Sequence, residues 1–506
     1  MTGLEVLATS PLLIRIVRLT RVVLQYLIGT TIHNIFFNPL NKYPGPTIAS
    51  VSRIPLTYAF LCGRAPHWLA RQHEKYGSIV RIAPDELSYI AEEAWKDING
   101  PTTAFRYGQK RSEDFFAYFF NKQSTEESIV TASDDDHRRL RKIFARAFSK
   151  QALTVQEPLI TQKVDALIEK LGRASQAGNT VNMVDLHCLT VFDIMADLIL
   201  GETLNLLVDD SPHAGWVRSV PAYLATSFFL AALAKFSIIR LFLSYFALPL
   251  LTPQYKYFQK IMGHKVDVRL SVKGGRGDIV HFLTDLKEGT PLSRPELENA
   301  VLILMAAGSD TTPSIICGLN YLLLAHPVVL AKAVEEIRSA FKADKDMTWD
   351  AVFKLEYLGA CIDEAFRVYP PTTTGFPRQV TSMSGAWICG KFVPGGTTVC
   401  VSPFAAYHFP SNFHNPDHFI PERWLPQAEA KYANDKKAVV QPFSTGPRDC
   451  VGRMVANFMI RVIICKMLWN FDFVLEPGQE NWAKQRAYGN WQRTPLMVKV
   501  YSVNRD

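Results

Sequence analysis

A chain of 506 residues with 48% hydrophobic and 20% charged residues has ample material for a large buried core, in one domain or several. Its net charge of +8 is small for that length and its basic residues are scattered, which excludes a dedicated nucleic-acid binder and suits an acidic protein partner or an anionic membrane face. The eight cysteines (Cys62, Cys188, Cys317, Cys361, Cys389, Cys400, Cys450 and Cys465) form no Cys-x-x-Cys pair, which excludes zinc-type spacing and a disulfide framework and points to a reducing compartment.

Residues 1–37 read as a membrane anchor that stays attached. Leu4 to Phe37 is mostly apolar but interrupted by Glu5, Arg15, Arg18 and Arg21. Val22 to Phe37 carries no formal charge, yet falls short of the roughly 20 residues that cross a bilayer. The three arginines form one broad basic arc, which fits a cytoplasm-facing flank or the polar side of a helix lying in the interface. No small-residue cleavage site follows, so a removed signal peptide is not indicated. At residues 38–46, Asn38-Pro39-Leu40 and Tyr43-Pro44-Gly45-Pro46 keep the chain out of helix and predict a stiff hinge. Residues 47 to 506 follow and carry the remaining signals.

Tyr76 to Ile90 reads as a small β-region, with Ile79–Ile82 and Leu87–Ile90 around a Pro84-Asp85-Glu86 turn. Asp134-Asp135-Asp136-His137-Arg138-Arg139-Leu140-Arg141-Lys142 places acids at a helix start and bases after it, complementing the helix dipole. Val220 to Leu251 is unusually apolar but broken by Lys235 and Arg240, which weakens a transmembrane reading. Ser293-Arg294-Pro295-Glu296 is a capping-box start. The helical pattern after it runs to His326-Pro327, roughly 30 residues or about 45 Å. Gly308-Ser309-Asp310-Thr311-Thr312-Pro313-Ser314 puts polar groups and a proline at its middle, which predicts a break or kink. A hydroxyl there can donate and accept at once, and a carboxylate can pass protons onward.

Glu364 and Arg367 share one helix face at i, i+3. Glu335 and Arg338 have the same spacing in a more charged helix and read as a solvated surface pair. A Gly/Pro-rich β-region follows, containing Gly395 to Val399. The strongest signal is Phe443-Ser444-Thr445-Gly446-Pro447-Arg448-Asp449-Cys450-Val451-Gly452. Met454, Val455, Phe458, Val462 and Ile463 recur after it at near-helical spacing, so Cys450 falls at or just before a helix N-terminus, where a thiolate is favoured over a thiol. Its glycines let the loop bend and approach a flat partner closely. Alone, such a cysteine would read as a small buried hydrophobe.

The pattern Phe-x-x-Gly-x-Arg-x-Cys-x-Gly resembles the haem-binding loop of the cytochrome P-450 family, and every specified position matches. The resemblance spans nearly the whole chain after the hinge. It implies a mainly α fold with a smaller β-region, one large domain enclosing haem b, with Cys450 as the axial thiolate to iron and Phe443 and Gly452 against the haem. Arg448, Arg141 and Arg378 would meet the haem propionates. His137 stands where family members commonly carry a tryptophan, and this departure leaves its role open. Ala307-Gly308-x-Asp310-Thr311-Thr312 resembles the oxygen-activation motif, which implies that Thr311 holds dioxygen and an ordered water while Asp310 relays protons. Ala307, Thr373, Thr374 and Phe376 would line the substrate pocket, and the apolar stretch 220–251 would be a mobile lid with a greasy outer face. Glu364, Arg367 and Arg423 would form the family's buried staple. The texture is similar to P-450 enzymes of filamentous fungi that act on secondary metabolites, such as trichothecene-pathway hydroxylases. Function then follows as monooxygenation of an apolar small molecule at the endoplasmic reticulum membrane, the catalytic domain facing the cytosol. Electrons would come from NADPH–cytochrome P-450 reductase, with cytochrome b5 as an additional donor; no dinucleotide fingerprint is evident in the chain itself. A haem-thiolate isomerase, dehydratase or oxidative-coupling enzyme would keep Cys450 but need no proton relay, and a non-catalytic haem sensor would need neither the lid nor the activation motif.

Overall fold

The computed structural model describes residues 11–100, 105–106, 128–208, 211, 214–272, 277–285 and 291–504. Its longest element begins where the capping signature predicts. The Glu296 backbone N–H donates to Ser293 Oγ at 3.3 Å, and the Ser293 N–H donates to the Glu296 carboxylate at 2.7 Å. The central helix Arg294–Ala325 then runs 32 residues and is buried over most of its length, because its apolar residues occupy every face. The expected interruption does not break it: Gly308 to Ser314 stay helical. Pro313 removes a single backbone donor, and close packing holds the rest. A Cβ added at Gly308 would lie 2.4 Å from Met195 Cε, so the Met195 side chain of the neighbouring helix Met183–Leu200 occupies the space that a side chain at 308 would need.

The predicted β-region is the hairpin Ile79–Ala83 and Glu86–Tyr89. Glu86–Tyr89 also pairs in parallel with Thr398–Val401, Leu87 opposite Val399, so the Gly/Pro-rich segment joins the same five-stranded sheet. The sheet continues through Arg378–Val380 to Phe105–Arg106. This mainly helical architecture with small sheets is the one the sequence implies.

A buried hydroxyl chain fastens that sheet to the helix Ala65–Tyr76. The Gly77 carbonyl can only accept, so His73 Nδ1–H donates to it at 2.8 Å, which leaves Nε2 to accept from the Ser88 hydroxyl at 2.7 Å; Ser88 in turn accepts from Ser402 at 2.7 Å. Burial pushes the His73 pKa down to about 4, the Gly77 bond only partly offsetting it. The unfolded chain therefore takes up a proton near pH 6.5 that the folded chain refuses until about pH 4. Stability from this site is complete above pH 6.5 and is lost as pH falls, by at most about 3 kcal/mol. Urea unfolding across that range should show a flatter pH profile for His73→Gln than for the wild type; parallel profiles would refute the assignment.

Arg338 corrects one expectation. It is not half of a solvated pair but reaches Asp472 at 2.7 Å and the carbonyls of Leu468 and Phe471 at 3.0 and 3.2 Å, fixing helix Pro327–Ala340 to strand Phe471–Leu475. The i, i+3 spacing is the same in both cases; tertiary neighbours choose the partner.

At the N-terminal end, residues 1–10 of the predicted anchor lie outside the described residues. Helix Pro11–Ile32 passes through a π-type turn, His33–Phe37, with Leu24, Tyr26, Leu27, Ile28, Phe36 and Phe37 exposed. The hinge after it is tied down by buried Arg81, which donates to the carbonyls of Asn34 and Pro84 at 3.2 and 2.8 Å and to Asn41 Oδ1 at 2.8 Å. The stretch expected as a lid, 220–251, lies within helix Ala214–Ala234, a link through Ser237–Phe242 and Leu243–Ala247, and the start of helix Leu248–Ser271. Its link exposes Ile238 (85%), Leu241, Phe242, Tyr245 and Phe246. Two described helices are long and apolar enough to cross a membrane, Val217–Ala234 and Arg294–Ala325, and the second lies mostly inside the protein.

Candidate active site around Cys450

The cysteine loop is shaped by its own backbone. Cys450 N–H donates to the Phe443 carbonyl at 2.9 Å and Asp449 N–H to the Gly446 carbonyl at 3.1 Å. Gly446 sits at φ +81°, and a Cβ there would come within 1.9 Å of the Asn99 carbonyl oxygen, so glycine alone fits. Gly452 is different. It caps helix Arg453–Asn470, and a Cβ there would meet only Cys450 Sγ and Phe148, both at 4.0 Å. The protein's own packing does not demand glycine, and the space beside the sulfur stays clear. Phe443 rests edge-on against Phe366 at 5.3 Å, with the Arg453 guanidinium 5.7 Å over its ring.

All eight cysteines are free thiols, and Cys450 alone among them is exposed. Its open surface lies in crowded surroundings, and that corrects the expectation of a ready thiolate. Burial pushes the thiol above its usual range; the Gly452 N–H, Arg141 and Arg453 pull the other way but do not prevail, and Asp449 opposes them. A helix N-terminus is one turn's effect, whereas burial sums over the whole neighbourhood.

Four basic side chains converge beside the loop. His137 is buried on helix Asp134–Ala147, and its pKa is pushed down to about 4 by burial, then by Arg448, Arg141 and Arg378, with Asp134 opposing. Arg141 donates to the Asp449 carbonyl at 2.6 Å and carboxylate at 2.5 Å. Arg448 donates to the Ala132 carbonyl and Asp134 Oδ1, both at 2.8 Å, and Arg378 Nε to Asn99 Oδ1 at 2.8 Å. Three guanidinium groups from three segments around one neutral imidazole suit a group with two carboxylates. A flat cofactor with acidic arms and a thiolate-seeking metal fits this donor set.

Near its middle, the central helix opens. Ala307 is exposed and Ala306, Gly308 and Thr311 are partly so, although residues on either side are buried. The Thr311 hydroxyl donates to the Ala307 carbonyl at 2.8 Å. Asp310 is buried, its carboxylate held by Arg493 and Asn490. Neither partner was apparent in the sequence, where only the Gly489 turn just before them marks the place. Of the expected pocket residues, Thr373 is buried and its hydroxyl donates to the Gly489 carbonyl at 3.0 Å. Thr374 is half-buried and Phe376 is 53% exposed.

The staple behind the site forms as expected and is larger. Glu364 accepts from Arg367 at 2.8 and 2.9 Å, Arg423 at 3.1 Å, Trp424 Nε1 at 2.8 Å and the Ile420 N–H at 2.9 Å. All three charged side chains are 0% exposed. Arg367 also donates to the carbonyls of Tyr407, Pro416 and His418 at 2.9, 2.5 and 2.7 Å, and Arg423 to Asp435, a partner the sequence did not reveal.

Known proteins resemble this chain. Residues 55–499 match the family model for cytochrome P-450. The chain is 36% identical over 471 residues to the cytochrome P-450 monooxygenase FUM2 of Gibberella moniliformis, covering 92% of this chain and 98% of that protein. It is 38% identical over 492 residues to the cytochrome P-450 monooxygenase atr2 of Stereocaulon alpinum, covering 95% and 94%. A trichothecene C-4 hydroxylase of Trichoderma arundinaceum is 36% identical over 479 residues, covering 93% and 94%.

Proposed function

The chain belongs to the cytochrome P-450 family, a family of haem-thiolate monooxygenases, and on that premise we propose that it inserts one oxygen atom from dioxygen into an apolar small molecule, an intermediate of fungal secondary metabolism. The observation that carries this reading is an open Cys450 thiol beside the clear space at Gly452, in a protein whose central helix loses its mid-length burial at Ala306 to Gly308 and at Thr311.

Cys450 would ligate the iron, and Arg141, Arg378, Arg448 and His137 would receive the haem's acidic arms. When bound, the haem supplies dioxygen activation, with thiolate electron density favouring O–O cleavage. The residues supply the rest. Thr311 Oγ1 holds a proton that it can hand on only by releasing the Ala307 carbonyl. Asp310 is the carboxylate one residue away that replenishes it. Residues 1–37 would anchor the chain in the endoplasmic reticulum membrane with the domain 47–506 on the cytosolic side, and the exposed apolar link of the lid suits contact with the same surface. NADPH–cytochrome P-450 reductase, and cytochrome b5, would deliver electrons.

A haem-thiolate isomerase or coupling enzyme needs no proton path, and the engagement of Asp310 by Arg493 is the one observation that leans that way. Comparing metabolites of cells carrying the intact gene with those carrying Thr311→Ala separates the readings. Monooxygenation predicts that the variant accumulates a compound one oxygen poorer than the lost product. An unchanged product would remove Thr311 from the chemistry; loss of a product with no change in oxygen count would make the reaction a rearrangement or coupling.

A further inference from the structure

Asp310 is gripped from outside its own helix. Arg493 donates to Asp310 Oδ1 at 2.5 Å and to its backbone carbonyl at 2.9 Å, and Asn490 donates to Oδ2 at 2.5 Å. The pair is nearly sealed, with side chains 2% and 6% exposed. Burial opposes the Arg493 charge, and the Asp310 carboxylate more than offsets it, so the guanidinium pKa is raised. A sealed ion pair is seldom more stabilising than well-packed apolar side chains, so its presence calls for another use.

The same segment touches the expected pocket and lid. Ala487–Tyr488 and Asn490–Trp491 form a tight hairpin whose turn, Gly489, has φ +76°. The Gly489 carbonyl accepts from the Thr373 hydroxyl and N–H at 3.0 and 3.2 Å. A Cβ at Gly489 would lie 2.5 Å from Phe228 Cζ, so the lid helix rests its ring directly on the turn. One hairpin thus contacts the lid at Gly489 and the carboxylate at the next residue.

We propose that Arg493 and Asn490 are positioning residues that hold Asp310 for proton transfer and tie its placement to the lid through the Gly489 turn. This rests on the reading of Asp310 and Thr311 as the proton path. Each carboxylate oxygen keeps a lone pair beside its donor, but the site is nearly sealed, so proton exchange is eased when a donor gives way to water. Asn490, a single neutral donor, leaves more readily than the charged Arg493 fork. A molecule seated under the lid presses on Phe228 and is sensed at Asp310 through the residue adjoining the turn.

The test uses the full-length, haem-loaded protein in cells, where the product is whatever the intact gene yields and a deletion does not. Product is normalised to enzyme that keeps an unaltered reduced carbon monoxide spectrum, so a structural defect alone cannot move it. Asn490→Ala should lower normalised product about tenfold, and Arg493→Lys, which keeps the charge but loses the fork, by less. In thermal unfolding of the purified protein, Asn490→Ala combined with Asp310→Asn should shift the midpoint by less than the sum of the single changes. If both positioning variants keep normal product while Asp310→Asn loses it, the proposal is overturned and the proton path stands. If product falls only in step with spectrally intact enzyme, the residues are structural and the proposal is likewise overturned. If Asp310→Asn itself keeps normal product, the proton-path reading fails. Asn490→Ala leaves the buried ion pair in place, so it decides the matter even where Arg493→Lys does not fold.

Discussion

Arg367→Ala should leave cells with little or no folded, haem-loaded protein. The substitution strips Glu364 of its bidentate partner and leaves three carbonyls, of Tyr407, Pro416 and His418, without their donor, all in a place water does not reach. Breaking one side of a buried charge network costs about 3–5 kcal/mol, against a whole-domain stability of about 5–15 kcal/mol. Burial works against the Glu364 charge, and Arg367 and Arg423 more than offset it, so its pKa is lowered. The contribution of that charge is therefore present above the ordinary carboxylate range and is lost only as pH falls through the lowered value. Arg367→Lys should not rescue, because a single ammonium cannot reproduce a fork that serves five acceptor contacts at once. Arg218, itself 53% exposed in its pair with Asp185, is the contrast: Arg218→Ala should cost no more than about 1 kcal/mol. Haem content per cell and the urea midpoint report both variants, and equal losses would mean that the staple is not what holds this region.

Cys450→Ser should abolish monooxygenation, by well over about 100-fold, since changes to residues that merely support a ligand already reach that range. Serine matches the thiol in size, and the cysteine loop is fixed by backbone bonds to Phe443 and Gly446 that the change leaves alone. The unfolding midpoint should therefore hardly move. What changes is chemistry. A hydroxyl does not ionise as a thiol does, and it lacks the soft, electron-rich sulfur that thiolate ligation of iron requires. Burial raises the Cys450 thiol above its usual range, so ligation of a metal would have to favour deprotonation against that burial.

The legible parts of this protein were those written in short stretches of chain. The Ser293–Glu296 capping box completes its meaning within four residues, so spacing was enough, while the Phe443–Gly452 loop and the Glu364/Arg367 face were legible through their resemblance to a family pattern. The parts that escaped depend on segments that meet only in the fold. Arg493 lies 183 residues from Asp310, and its approach is set by the C-terminal hairpin. Asp435 reaches Arg423 through an irregular stretch with no periodicity to read. Asn99 supplies the carbonyl that makes Gly446 obligatory and the amide oxygen that holds Arg378. At Gly308–Ser314 local composition weakens the helix, yet the backbone stays helical there, with the Met195 side chain packed over Gly308. Ala307, Thr311 and His137 were found by motif, and their surroundings were not.

The most direct test of the account is the absorption spectrum of the purified, reduced protein under carbon monoxide, recorded for wild type and Cys450→Ser. A haem-thiolate centre at Cys450 predicts the strongly red-shifted Soret band of thiolate ligation in the wild type and its loss, with folding unchanged, in the variant. Persistence of that band in Cys450→Ser, or its absence from folded, haem-loaded wild type, would contradict the account.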